Sequence, residues 1–227
     1  MQHCSTTAAP LKFSGRAGMP AAQRWADLLH CEQLAGPVLR AQGLAAAESG
    51  IVEADGRMFL QSTRFDRTPD LGRRGFVSLA ALDAAYDAHG RIDWRLFSRQ
   101  LQRDGWLDRD DARRLGVYGW FGALIGNNDM PLGNAGMMLA DMRPLALAPA
   151  YDMLPMTFRP AVSGEVVERI YTPALPAPDY QDDWRVAASM ALEFCKRVAQ
   201  ADAIPAGFRS LALAALQQLG RAVQGIG

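Results

Sequence analysis

Lysine is nearly missing from this chain. Of 24 lysine and arginine residues, only Lys12 and Lys196 are lysine. Each is therefore a rare compact cation among arginines. Cysteine is sparse too: Cys4, Cys31 and Cys195 lie far apart with no C-x-x-C pair. An odd, scattered set argues against a disulfide scaffold and suits a reducing compartment. The three histidines, His3, His30 and His89, lack metal-ligand spacing, which speaks against a structural zinc site. No run approaches the roughly 20 apolar residues of a membrane span. The opening "MQHCSTTAAP" has no charged region leading into an apolar core, so no secretory leader is read and a cytoplasmic location is expected. Net charge is +0, which offers no global pull toward nucleic acid or anionic lipid. Direct DNA binding by this chain is not expected, and no helix-turn-helix stands out.

What remains is an ordinary globular composition. The 227 residues are 49% hydrophobic and 21% charged, enough for one large domain or two lobes. "APLKFSG" reads as a short strand ending at Gly15, with Leu11 and Phe13 flanking Lys12. A helix is expected from about Ala21 to Gly43, with Pro37 able to kink it. "SGIVEADGRMFLQSTRFDR" reads as a hairpin turning at Asp55-Gly56. A polar link, "TPDLGRRG", follows. Ser78, Asp93 and Asp108 can each cap a helix. "AGMMLAD" and "PLALAPAYD" read as two short strands joined by a turn at Asp141 to Pro144. Two long helices close the chain. A β-rich beginning and a helical body make an α+β, two-lobed expectation, divided as 1–67 and 68–227.

The stretch "LIGNNDMPLGNAGM", residues 124 to 137, breaks an apolar helix with amides and an acid. Asp129 lies just past the helix end, Asn134 five residues on, and Asp152 beyond the strand pair. An aspartate, an asparagine and a second aspartate in this order fit phosphoryl transfer. That reaction asks little covalent work of a protein. It needs hard oxygen ligands for Mg²⁺ and a carboxylate aimed at the acceptor hydroxyl. It also needs a cation on a strand facing the nucleotide phosphates, for which Lys12 stands ready. An acidic partner for that lysine is expected on the first long helix. Asp27 and Glu32 are both there, and the choice between them is open.

Plainer roles exist for each residue. D-x-x-x-x-N arises by chance, and Asn127, Asn128 and Asp129 suit a helix C-cap and turn. A strand lysine is commonly a solvated edge residue. Met137, Met138, Met142, Met153 and Met156 suit core filling, and Trp94, Trp106, Trp120 and Trp184 suit helix anchoring. Arg64, Arg67, Arg73 and Arg74 form either a solvated face or an anion site.

The segments "RWADLLHCEQLA", "GRMFLQSTRFDR", "LIGNNDMPLGN" and "LAPAYDMLP" occur in an order that resembles the HipA family of bacterial serine/threonine kinases, toxins of toxin–antitoxin pairs. "RFDR" followed by "VSLAALDAAY" is similar to the YjjJ branch. The resemblance covers the chain from about Leu11 onward. It implies a protein-kinase-like α+β fold with a small, truncated β-containing N-lobe and a mostly helical C-lobe. It implies ATP and Mg²⁺ as cofactors, Asp129 as catalytic base, Asn134 and Asp152 as metal ligands, and Lys12 at the phosphates. The adenine-binding hinge falls at Thr63 to Phe65. The implied partners are a protein substrate, an aminoacyl-tRNA synthetase being one known type, and an antitoxin or a small-lobe protein.

Two departures accompany the resemblance. Family members usually carry a histidine two residues after the aspartate and often a lysine four after; here those positions are Pro131 and Gly133. The glycine-rich phosphate-binding segment expected ahead of the lysine strand is not found. Without its backbone N–H groups, nucleotide affinity is expected to suffer, and the lysine strand keeps an uncovered edge. A fragment of a longer protein, a degenerate kinase and a body completed by a separate small-lobe partner are the three open readings.

Overall fold

A computed structural model describes residues 10–68, 70, 72–86 and 93–226. His3, Cys4 and His89 lie outside the described residues, as do the first nine residues of the expected N-lobe. Three antiparallel strands come first: β1 (Leu11–Phe13), β2 (Ser49–Ala54) and β3 (Arg57–Ser62), in the order β1-β3-β2. The β2–β3 hairpin turns at Asp55 and Gly56, whose φ values of 51° and 65° are both left-handed. That is the chemistry expected of an Asp-Gly turn matched to strand twist. Lys12 and Ile51 both stand opposite Leu60, so the three share a face. The first long helix, α1 (Pro20–Ala41), packs on this face. Leu60 is fully buried there. Pro20 opens α1 with a preset φ, and the helix runs through Pro37 as a single element.

A second antiparallel sheet has the order β4-β5-β6, built from β4 (Phe76–Ser78), β5 (Gly136–Met138) and β6 (Ala146–Leu147). Two of these strands match the expected pair. β4 is an addition: it forms at the boundary between the polar link and the next helix, and three residues are too few to show alternation. Gly136 makes the pairing fit, because a Cβ there would run into the Val77 carbonyl oxygen and the Phe76 ring. The helical body consists of α2 (Leu79–Tyr86), α3 (Trp94–Arg103), α4 (Arg109–Leu124), α5 (Gln181–Gln200) and α6 (Ala206–Ile226). The expected continuation of α2 through residues 87 and 88 lies outside the described residues.

The expected caps are present. Ser78 Oγ accepts from Ala81 N, Asp93 Oδ1 from Arg95 N and Asp108 Oδ1 from Asp111 N. Phe97, Leu115, Phe121, Trp184 and Phe194 form the centre of the core between α3, α4 and α5. Leu28, Cys31 and Leu39 of α1 belong to the same core. Met137 and Met153 fill it as expected, but Met142 does not: it is 79% exposed, on the bends between β5 and β6. Trp94, Trp120 and Trp184 are buried helix anchors, and Trp106 is partly buried.

Candidate active site

β1 directs Lys12 toward α1, where Glu32 waits just past the middle of the helix. Lys12 Nζ donates to both Glu32 oxygens at 2.8 Å. The same ammonium donates to Asp152 Oδ1 across 140 residues of sequence. Glu32 is therefore the acidic partner. Asp27, the other option, is buried and pairs with Gln23 and Arg24 instead. Asn134 Nδ2 donates to Asp152 Oδ2 at 2.5 Å. Asp152 thus has a cation on one oxygen and an amide on the other.

Asp152 sits at φ 60°, in the left-handed region. For a non-glycine residue this costs about 1–2 kcal/mol, with aspartate among the more tolerant. Asn127 helps to hold it there. Its Nδ2 donates to the Asp152 carbonyl at 3.1 Å, while its Oδ1 accepts from Asp129 N at 3.1 Å. Asn127 is buried directly after Gly126, which ends α4 with φ 81°. The sequence assigns Asn127 to a cap and turn, and its second bond escapes that reading. The available signal was an amide two residues ahead of the aspartate, the spacing of an Asx turn.

Lys12, Glu32, Thr63, Phe65, Tyr151 and Asp152 line a cavity of about 350 Å³. The Phe65 ring packs 5.7 Å from Phe76 and 5.8 Å from Tyr151, giving the cavity an aromatic wall. Thr63 N donates to Glu48 O, so its amide is occupied within the strands. Tyr151 OH donates to the Gly133 carbonyl at 2.9 Å, tying this wall to the turn that carries Asn134. Arg64 and Arg67 both pair with Asp66, and Arg73 and Arg74 are exposed. The first two are thus held by a protein carboxylate.

Asp129 stands apart from this group. It lines a neighbouring cavity of about 400 Å³ with Asp93, Trp94, Arg95, Ala123 and Met130. Among the described residues its carboxylate has no hydrogen bond and no ion pair. The structure therefore gathers Lys12, Thr63, Phe65 and Asp152 on one cavity and adds Asn134 through Asp152. Asp129 it sets on the adjoining cavity, linked through the single side chain of Asn127.

Electrostatics sharpen the cleft. Burial works against the Lys12 ammonium, but the Glu32 and Asp152 carboxylates together outweigh it and raise its pKa. Burial pushes the Glu32 carboxyl up, with Lys12 pulling it part of the way back. Burial, aided by Asp152, pushes Tyr151 up to about 12, so its hydroxyl stays a hydrogen-bond donor. Among the described residues no group of three His, Cys, Asp or Glu is arranged to hold a metal alone. Asp152 and the free Oδ1 of Asn134 nonetheless fit Mg²⁺, which is bound through one or two protein oxygens and completed by phosphates. A cation beside hard oxygen ligands on an aromatic-walled cavity can hold a phosphorylated, ring-bearing ligand.

Known proteins resemble this chain both in sequence and in fold. A family model described as "HipA-like C-terminal domain" matches residues 5–215. Toxin YjjJ of Escherichia coli (strain K12) is 32% identical over 203 residues, covering 89% of this chain and 45% of that protein. The chain thus spans less than half the length of this curated relative. The kinase CtkA of Helicobacter pylori, described as proinflammatory, superposes with a TM-score of 0.62 at 12% identity, covering 96% of this chain and 87% of that one. HipA of Shewanella oneidensis MR-1, solved with HipB and operator DNA, superposes with a TM-score of 0.55 at 18% identity, covering 87% and 55%. The fold is accordingly protein-kinase-like α+β. Among the described residues no helix is long and apolar enough to cross a membrane.

Proposed function

The chain belongs to the HipA-like C-terminal domain family, and from that premise we propose that it is the kinase body of a toxin–antitoxin toxin. It moves a phosphoryl group from Mg·ATP to a serine or threonine hydroxyl of a protein. The observation that carries this reading is the Lys12 ammonium, bridging Glu32 and Asp152 on the wall of a cavity of nucleotide-compatible size. Lys12 meets phosphate oxygens, and Glu32 keeps it aimed. Phe65 and Tyr151 flank the base, with the Thr63 to Phe65 backbone as the hinge. Asn134 and Asp152 hold Mg²⁺, which when bound neutralises charge along the phosphates. Asp129, with its unpaired carboxylate, orients the acceptor hydroxyl and takes its proton. The lobe boundary follows Arg67. The acceptor is a protein such as an aminoacyl-tRNA synthetase, and an antitoxin is the regulatory partner, as HipB accompanies HipA in the Shewanella complex.

A second reading, a pseudokinase or split-kinase body acting as a binding module, has one observation in its favour. The sheet face away from α1 leaves Leu11, Phe13 and Val52 54%, 61% and 48% exposed, an apolar surface suited to a partner. Phosphoryl transfer separates the two. The wild-type chain incubated with Mg·ATP and cell lysate is expected to label itself or a lysate protein. Asp129→Asn is expected to abolish the label with melting temperature unchanged, because its carboxylate holds no structural bond. An inert wild-type chain, or an active Asp129→Asn chain, contradicts the kinase reading.

A further inference from the structure

The cavity beside Asp129 lies outside the group proposed to hold the nucleotide, and its walls have a definite chemistry. We propose that it is the acceptor subsite, and that it selects a serine or threonine whose neighbouring residue is uncharged and apolar. This inference rests on the kinase reading and adds to it the class of substrate. Position is the first support. Asn127 bonds the Asp152 carbonyl with one end and the Asp129 amide with the other, so this cavity and the Lys12 cavity adjoin across one residue. A hydroxyl held in the Asp129 cavity is thus placed one residue away from the Lys12 and Asp152 cavity proposed for the phosphates. The free carboxylate of Asp129 is the hydrogen-bond acceptor that such a hydroxyl needs.

Charge is the second support. Two other ionised side chains line the cavity, and they cancel each other. Arg95 Nε donates to Asp93 Oδ1 at 2.8 Å and Oδ2 at 3.1 Å, Nη2 joins them, and the guanidinium lies 4.2 Å from the Trp120 ring. That pair offers neither sign to a ligand. Trp94, Ala123, Met130 and Pro131 make up the apolar wall. Trp94 Nε1 is itself spent on the Pro131 carbonyl at 3.3 Å. Among the lining residues an acidic neighbour meets the Asp129 carboxylate and no unpaired cation, Arg159 being held at the edge by Asn128 Oδ1 at 3.1 Å, and a basic one loses water against an apolar surface.

Shape is the third. A Cβ on Gly119 would lie 2.9 Å from Arg95 Cγ, and one on Gly122 would strike the Met130 sulfur. These two glycines sit inside α4 despite their poor helix propensity. They let Arg95 and Met130 lie flat against the helix, which leaves the cavity open between them.

The test uses the full chain and one peptide sequence with a central serine whose neighbour is Leu, Ala, Glu or Lys. Transfer from Mg·ATP is read by mass spectrometry. Binding of the matching peptides with alanine in place of serine is read by calorimetry, and the Mg·ATP thermal shift is recorded in parallel. The leucine peptide is expected to bind and react roughly tenfold better than the glutamate or lysine peptide, the scale a well-fitted apolar pocket gives. Ala123→Phe, which fills the cavity, is expected to lose about tenfold in peptide binding with its Mg·ATP shift unchanged. Met130→Glu is expected to turn the preference toward the lysine peptide, which keeps the idea testable if Ala123→Phe folds poorly. Equal binding of all four peptides, or an unchanged preference in Met130→Glu, overturns the inference while leaving the Mg·ATP shift intact. Absence of that shift in the wild type overturns the kinase reading and this inference with it.

Discussion

Removing the Lys12 ammonium leaves Glu32 and Asp152 facing one another without a cation, and Glu32 is only 8% exposed. Lys12 itself is 42% exposed, so water softens the loss. Lys12→Met is expected to cost about 1–2 kcal/mol in urea unfolding, and adding Glu32→Gln to recover part of it. A fully stable single variant, or a double variant no better than the single, contradicts the pairing. The pH sense follows from the raised lysine. Its contribution is complete below the ordinary lysine value of 10.5 and is lost as pH rises through the higher folded value. The gap between wild type and Lys12→Met should therefore hold at neutral pH and close only above 10.5. At this scale the sequence exposed Lys12 through its rarity, but it left Asp27 and Glu32 tied. Helix phase decides between them: the two differ by five positions, about 140° around α1, so only one faces the sheet.

Helix α3 matters to the site because its first turn supplies Asp93, Trp94 and Arg95 to the Asp129 cavity. Burial raises the Asp93 carboxyl, but hydrogen bonds and charge from Arg95 outweigh it and hold it below the ordinary 3.8. Asp93→Ala removes the cap and is expected to cost about 1 kcal/mol at pH 7. A depressed carboxyl contributes above 3.8 and loses that contribution as pH falls through its folded value. The deficit of Asp93→Ala should thus shrink in urea titrations at the most acid pH the fold survives. A deficit that is absent at pH 7, or constant with pH, contradicts this. Elements with local signatures were legible: the Asp55-Gly56 hairpin and the caps at Asp93 and Asp108 are written in adjacent residues. β4 was not. It exists because β5 offers an edge beside it, and Gly136 permits the approach. Met142 was misjudged for a related reason, since residue type carries no record of which way a short bend turns.

The whole molecule brings together groups that the chain keeps far apart. Lys12 and Asp152 are separated by 140 positions, and no local pattern can declare that contact. Only the order of several segments pointed to it. The same order grouped Asp129 with Asn134 and Asp152 as parts of one phosphoryl-transfer site. The structure puts Asn127 between them, a partition that spacing cannot reveal because it depends on a side chain bonding in two directions. The central claim is that Lys12, Asn134 and Asp152 form one nucleotide and metal site. Its most direct test is unfolding with and without Mg·ATP for wild type and Asp152→Asn, a change that asparagine's tolerance of left-handed φ makes structurally mild. The wild type at about 100 times Kd should gain roughly 2.7 kcal/mol, and in Asp152→Asn magnesium should add nothing to ATP alone. No gain in the wild type, or an equal magnesium-dependent gain in Asp152→Asn, would contradict the account.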